Sequence, residues 1–216
     1  MKSLQENLTK QEKLFQISIG VLLGDASVQK NTSKKVEKWR LKFSQSAKHS
    51  AYIHHLHDQL KAVSTPVEEY VISEPFFNQT RNMYSFQTVF DKRFKCLADI
   101  FLNCDTKKKI TCFFKENLIS PLSLAYGFID DGGLLSYKKD WPRKGLVFDT
   151  QGFTFAEVET LSQNLNKSYN LKTWVKLNKN KPIIAVSGKE YHQISRIFLP
   201  YMHQSMKYKL PLVCHK

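Results

Sequence analysis

The stretch Ser120-Pro-Leu-Ser-Leu-Ala-Tyr-Gly-Phe-Ile-Asp-Asp-Gly-Gly133 decides how this chain is read. Ser120 suits an N-cap, and Pro121 fits the first helical position, where no N–H is needed. The apolar run that follows covers two helical turns, and the paired glycines end the helix. Asp130 and Asp131 therefore stand at the C-terminal end, where the helix dipole disfavours negative charge by about 0.3–1 kcal/mol each. A helix built only for stability would carry Lys or Arg there, so these acids call for a compensating charge such as a divalent cation. A second stretch, Ile17-Ser-Ile-Gly-Val-Leu-Leu-Gly-Asp-Ala26, repeats the pattern half a chain length earlier and closes on Asp25. Self-similarity of this kind is the mark of an internally repeated architecture.

The rest of the 216 residues is consistent with that reading. With 42% hydrophobic and 12% aromatic residues the chain can bury a normal core, and disorder is expected only at the ends. Thirty-three Lys+Arg face 19 Asp+Glu, for a net charge of +14. A surplus of that size points to a polyanionic partner, nucleic acid first. No apolar run reaches the ~20 residues that span a bilayer. The N-terminus lacks the apolar core of a secretory signal, and Glu6 and Glu12 set it apart from acid-poor transit peptides. Cys96, Cys104, Cys112 and Cys214 show neither C-x-x-C pairing nor zinc spacing, so free thiols in a reducing compartment are expected.

Taken in order, the first half reads α-β-β-α-β-β-α. Helix 12–24 carries Gly20 and Gly24 four apart on one face, a pairing mirrored by Ser123 and Gly127 in the second signature helix. Interior glycines cost about 1 kcal/mol each relative to Ala, and tight packing of the two helices along a seam would offset that. A hairpin over 26–46 turns at Asn31-Thr-Ser-Lys-Lys35. In its second strand Trp39, Leu41 and Phe43 alternate with Lys38, Arg40 and Lys42, a period of two that separates a core face from a cationic face. A helix over 48–61 holds His54, His55 and His57, which complete no metal pattern. A second hairpin spans 67–74 and 83–89, with Arg81 in the loop, and a helix through Phe94 and Phe101 follows. The second half repeats this order. One hairpin loop carries Lys138, Lys139, Trp141 and Arg143. The helix after Thr154 opens with a capping box to Glu157. The last hairpin sets Lys172, Trp174 and Lys176 on the face opposite Thr173, Val175 and Leu177.

The two signature stretches resemble the paired helices of the LAGLIDADG homing endonucleases, of the single-chain, organellar intron-encoded type. Aligned on the nine-letter signature, the copies are Ser18-Ile-Gly-Val-Leu-Leu-Gly-Asp-Ala26 and Leu124-Ala-Tyr-Gly-Phe-Ile-Asp-Asp-Gly132. The eighth, metal-binding acid falls on Asp25 and Asp131. Ala26 replaces the final glycine, and Tyr126 replaces the glycine at the third place of the second copy.

The resemblance implies an α+β fold of two pseudo-symmetric αββαββα halves, residues 1–115 and 116–216. They would pack through the signature helices, with a saddle of antiparallel sheets for double-stranded DNA. It implies a monomer with an internal pseudo-two-fold axis. The expected activity is a metal-dependent, staggered double-strand break in a long non-palindromic target, promoting intron mobility. Asp25 and Asp131, helped by the carbonyls of Gly24 and Asp130, would hold Mg²⁺, with Mn²⁺ as a substitute. Lys108 and Lys209, which follow the last long helix of each half, would serve as catalytic cations, although Lys107 and Lys109 are equally close to the first of these places. Lys34, Lys35, Lys38, Arg40, Lys42, Arg81, Lys138, Lys139, Arg143, Lys172, Trp174 and Lys176 would contact DNA. The family also holds RNA-binding maturases, which would make intron RNA a partner, and non-cutting DNA-binding regulators, which would be expected to lose a metal acid. Synthesis inside a mitochondrion or chloroplast, without a transit peptide, is expected.

Overall fold

The computed structural model describes residues 8–31, 36–74, 79–102, 107–135 and 145–210. Helix α1 (Lys10–Leu23) starts at Thr9, whose hydroxyl accepts from the Glu12 amide while the Glu12 carboxylate accepts from the Thr9 amide. This capping box begins the helix two residues earlier than expected. A hairpin of β1 (Ser27–Lys30) and β2 (Trp39–Ser46) follows, then α2 (Ser50–Leu60). A second hairpin, β3 (Glu68–Glu74) with β4 (Gln79–Gln87), leads to α3 (Lys95–Phe101) and the single turn α4 (Phe113–Glu116). The order then returns in α5 (Pro121–Asp131), β5 (Gly132–Leu134), β6 (Leu146–Phe148), α6 (Phe155–Tyr169), β7 (Thr173–Asn178), β8 (Lys181–Val186) and α7 (Tyr191–Phe198). A 3₁₀ run, Gln204–Lys209, closes the described chain.

The strands form two antiparallel sheets with the same topology, β1-β2-β4-β3 and β5-β6-β8-β7. The expected α+β class and the two αββαββα halves are therefore what the chain forms. In β2 the alternation resolves as read: Trp39, Leu41 and Phe43 are buried, Arg40 is half-buried and Lys42 is exposed. Phe43 stacks on Phe86 of β4 with ring centroids 4.5 Å apart. Ser120 caps α5 by accepting from the Ser123 amide, with Pro121 in the first turn, and Thr154 and Glu157 form the capping box of α6. The last hairpin turns through Lys179 and Asn180, both at positive φ as a two-residue turn between twisted strands requires. No helix among the described residues is long and apolar enough to cross a membrane.

The two signature helices α1 and α5 lie against each other. Ser123 Oγ donates to the Gln16 carbonyl at 2.7 Å, so the seam is tied near the start of α5. One turn on, the backbones meet. A Cβ on Gly20 would lie 2.4 Å from the Ser123 carbonyl oxygen and 2.7 Å from Tyr126 Cβ, while a Cβ on Gly127 would lie 3.2 Å from the Gly20 carbonyl. At the far end a Cβ on Gly24 would lie 2.4 Å from Asp130 Cβ. The flanking Ile17, Val21, Leu124 and Phe128 are buried, so the seam is dry as well as close.

These distances predict a graded response. Gly20→Ala gains about 1 kcal/mol of helix propensity but must displace a backbone carbonyl, and we expect a net loss of about 1–3 kcal/mol. Gly127→Ala, which needs a shift of only a few tenths of an ångström, should cost less. Denaturant midpoints of the two variants measure the difference, and equal midpoints would contradict the close seam.

Candidate active site

Each signature helix delivers one carboxylate to the same end of the seam. Asp25 follows α1 and is exposed, and its Oδ2 accepts from Gln45 Nε2 at 2.8 Å. Gln45 is itself buried, on the same face of β2 as Leu41 and Phe43. Asp131 ends α5 and is half-buried, and its carbonyl accepts from the Asp149 amide at 2.6 Å. Burial, followed by the negative charge of Asp25, pushes the Asp131 carboxyl up to about 7, with Asp149 adding to the rise and Lys108 and Lys209 opposing it. The strand position matching Gln45 in the second half is Thr150, whose hydroxyl donates instead to the Pro182 carbonyl. The two acids thus have different surroundings.

Two lysines complete the cluster. Lys108 Nζ donates to the Gly24 carbonyl and, at 3.3 Å, to the Ala26 carbonyl. Lys209 Nζ donates to the carbonyls of Ile129 and Asp130, the latter at 2.9 Å. Gly24 and Asp130 occupy the same place in their motifs, so each half caps the same backbone oxygen with a lysine from its own C-terminal segment. These oxygens belong to the free carbonyls every helix end exposes. Burial holds both ammonium groups below the ordinary lysine range, and the aspartates pull them back up. Lys108 is positioned by a bridge pairing with Leu102, by the bond from the Ile110 amide to Glu157 and by the Phe153 ring 5.7 Å from Nζ. Of the three adjacent lysines, Lys108 is the one whose Nζ bonds these carbonyls.

Asp130 sits inside the seam, against Gly24. Its Oδ1 is buried and without a hydrogen-bond partner among the described residues, as is the hydroxyl of neighbouring Tyr52. Burial and then the charge of Asp25 raise this carboxyl well above the usual range, favouring the protonated form. Behind it, His55 Nε2 and the Tyr126 hydroxyl share a hydrogen bond at 2.9 Å, linking α2 of the first half to α5 of the second. His55 thus takes a place at the interface between the halves.

The donors gathered at the acids are oxygens: two carboxylates and the carbonyls of Gly24 and Asp130, each keeping a lone pair beside its lysine. That set suits a hard divalent cation. Among the described residues no three His, Cys, Asp or Glu side chains form a group that could hold a metal alone. Water and a phosphate oxygen would have to supply further ligands, as is usual for Mg²⁺.

Cross-strand pairing assigns the outer faces of the sheets. Arg40, Lys42 and Ser44 of β2 share a face with Gln29 of β1, Arg81, Ser85 and Gln87 of β4, and Glu68 and Tyr70 of β3. The second sheet shows Val147, Ile183, Ala185, Trp174 and Lys176 on the corresponding face. Ile183 and Ala185 are buried there yet lie outside the main core cluster, so this face is more apolar than its counterpart. Just ahead of β2 and β7, Lys38 is half-buried and Lys172 is exposed. Lys34, Lys35, Lys138, Lys139 and Arg143 lie outside the described residues. Gln45 and Asp149 are members of the site that the motifs did not indicate.

Among known proteins, residues 15–194 match the LAGLIDADG DNA endonuclease family. The chain is 38% identical to a probable intron-encoded endonuclease 1 of Wickerhamomyces canadensis, over 89% of this chain and 81% of that one. It is 27% identical to the cytochrome b mRNA maturase bI2 of Debaryomyces hansenii, over 92% of this chain and 74% of that one. Its fold superposes on the homing endonuclease I-WcaI bound to its DNA recognition sequence with a TM-score of 0.85 and 34% identity, covering 96% of this chain and 90% of that one.

The Asp131 environment predicts a pH effect on stability. A carboxyl raised in the native state binds its proton more tightly when folded, so its contribution favours folding below the unfolded value of 3.8 and is lost as pH rises through about 7. In metal-free buffer the stability difference between Asp131→Asn and the parent should therefore grow in the variant's favour from pH 4 to pH 8. Thermal melts in EDTA across that window measure it. A pH-independent difference would refute the assignment.

Proposed function

The chain belongs to the LAGLIDADG DNA endonuclease family, and from that premise we propose that it is a homing endonuclease making a metal-dependent, staggered double-strand break in a long, non-palindromic DNA site. The observation that carries the reading is the meeting of Asp25 and Asp131 at one end of the seam, each half adding a lysine bonded to the same motif carbonyl. A binding scaffold alone has no use for carboxylates gathered at two helix ends, where the dipoles oppose them.

On this reading residues 1–115 and 116–216 act as two half-enzymes in one monomer, each cutting one strand. Asp25 and Asp131, with the remaining lone pairs of the Gly24 and Asp130 carbonyls, would hold Mg²⁺ or, in its place, Mn²⁺. The bound cation would lower the pKa of the attacking water and stabilise the attacking and leaving oxygens of an in-line displacement. Gln45 orients the Asp25 carboxylate. Lys108 and Lys209, fixed by their carbonyl contacts, stabilise charge developing on the phosphate oxygens. The outer faces of the two sheets would each read a different half-site, with Lys38, Arg40, Lys42, Arg81, Lys172, Trp174 and Lys176 among the contacts, joined by Lys34, Lys35, Lys138, Lys139 and Arg143. The intron-encoded relative and the cytochrome b maturase support a role in intron mobility inside an organelle. The maturase likeness also supports a second reading, in which the same scaffold assists splicing of intron RNA.

Incubation of the protein with the intron-free allele in Mg²⁺ should yield a defined double-strand break that EDTA abolishes. Asp131→Asn should lose double-strand cutting while binding the site within a few-fold of the parent. Lys108→Met should slow cleavage by about 10²–10³-fold. Cutting that persists in EDTA, or in Asp131→Asn, would overturn the assignment of the metal acids. Splicing of a precursor RNA by a protein that binds but never cuts its DNA site would favour the second reading.

A further inference from the structure

On the outer face of the first sheet the guanidinium of Arg40 is held from two sides. Its Nε donates to Gln29 Oε1 at 2.9 Å, across the β1–β2 pair in which these residues are direct partners. Its Cζ lies 4.6 Å from the centroid of the Phe90 ring. Neither contact uses the two terminal amino groups. Fixing a long side chain in this way costs rotamer entropy, and a cation that only follows phosphates gains little from it, since a mobile lysine does the same as a point charge. An oriented guanidinium gains most where the ligand is planar and takes two parallel hydrogen bonds.

The location separates the two planar ligands on duplex DNA. Arg40 is on β2, an interior strand of the sheet, and its face also carries Ser44 and Gln87, side chains that both donate and accept. The interior of a sheet lying in the major groove meets base edges, while its margins meet the phosphate backbone. The base edge that accepts two parallel N–H bonds from arginine is guanine O6 and N7. We propose that Arg40, with Gln29 and Phe90 as positioning residues, reads a guanine in the half-site bound by the first sheet. This rests on the endonuclease reading above and assigns a base to that interface. Arg40 precedes Gln45, the residue bonded to Asp25, by five positions along one strand. At ~3.3 Å per residue along the β-strand against ~3.4 Å per base pair along the duplex axis, the guanine should lie about five base pairs outward from the cleavage centre.

The test starts with selection of bound duplexes from a randomised library by the full chain in EDTA. Failure to enrich any long site would count against the endonuclease reading itself and is thus distinguishable from failure of this proposal. With the enriched site in hand, affinity is measured with each base pair, and with 7-deazaguanine, at every position of the first half-site. A single guanine about five base pairs from the centre should emerge. Its replacement by adenine or by 7-deazaguanine, which removes the N7 acceptor, should weaken native binding about 5- to 150-fold. Arg40→Ala should bind all four base pairs there alike, and the charge-preserving Arg40→Lys, which lacks the planar fork, should show a reduced preference for guanine, both with circular dichroism matching the parent. Gln29→Ala should reduce the preference for guanine while leaving affinity for sites lacking it within a few-fold. A uniform loss across all sequences in Arg40→Ala, with base preference unchanged, would make Arg40 a phosphate contact and overturn the proposal. So would a native preference for another base at that place.

Discussion

Two helix backbones can come into contact only where side chains are missing, and this protein removes them at Gly20 and Gly127, within a seam that Ser123 ties to the Gln16 carbonyl. Everything at the active end follows from that approach. The C-terminal ends of α1 and α5 arrive together, bringing Asp25, Asp130 and Asp131 into one electrostatic unit in which the charge of Asp25 raises the cost of ionising both Asp130 and Asp131. Burial in the seam multiplies the effect, because charge is poorly screened away from water. The lysines reduce the cost without removing it. They are bonded to carbonyls rather than to the carboxylates, so the acids keep oxygens free for other ligands.

Much of this was legible in the sequence because it rests on spacing. The two motif copies, the four-residue interval between Gly20 and Gly24, the Ser120 cap and the alternation in β2 are local patterns with one physical meaning each. Thr9 was equally readable, since Thr-x-x-Glu before an apolar run is a capping box. Gln45 left a weaker signal: it continues the buried series Trp39, Leu41, Phe43 with a polar group, and a polar group on a core face needs a partner. Nothing in the sequence names that partner as Asp25. Nor could spacing choose among Lys107, Lys108 and Lys109, because the choice is made by the bridge to Leu102 and by Glu157, 47 residues along from Ile110. The burial of Ile183 and Ala185 on the outer face of the second sheet was hidden too, since alternation alone would expose them.

Glu157 shows how the halves are joined away from the seam. Its carboxylate accepts from the Thr154 amide as a helix cap and from the Ile110 amide in the segment that carries Lys108. Asn164 of α6 donates to the carbonyls of Phe114 and Asn117 in the same connecting region. The connection between the halves is therefore packed into the second half, and the first half's lysine is held in part by the second half's helix.

The contact of Gly24 with Asp130 sets the two copies of the motif apart. A duplicated ancestor would have carried the same residue at this place in both helices, yet here one helix contributes a carboxyl and the other only hydrogen, and each fills what the other leaves. Two second halves brought together would press Asp130 against Asp130 in a space that holds one side chain. Two first halves would face each other across a void. The halves have become lock and key, so the covalent chain between them now joins partners that could no longer replace one another.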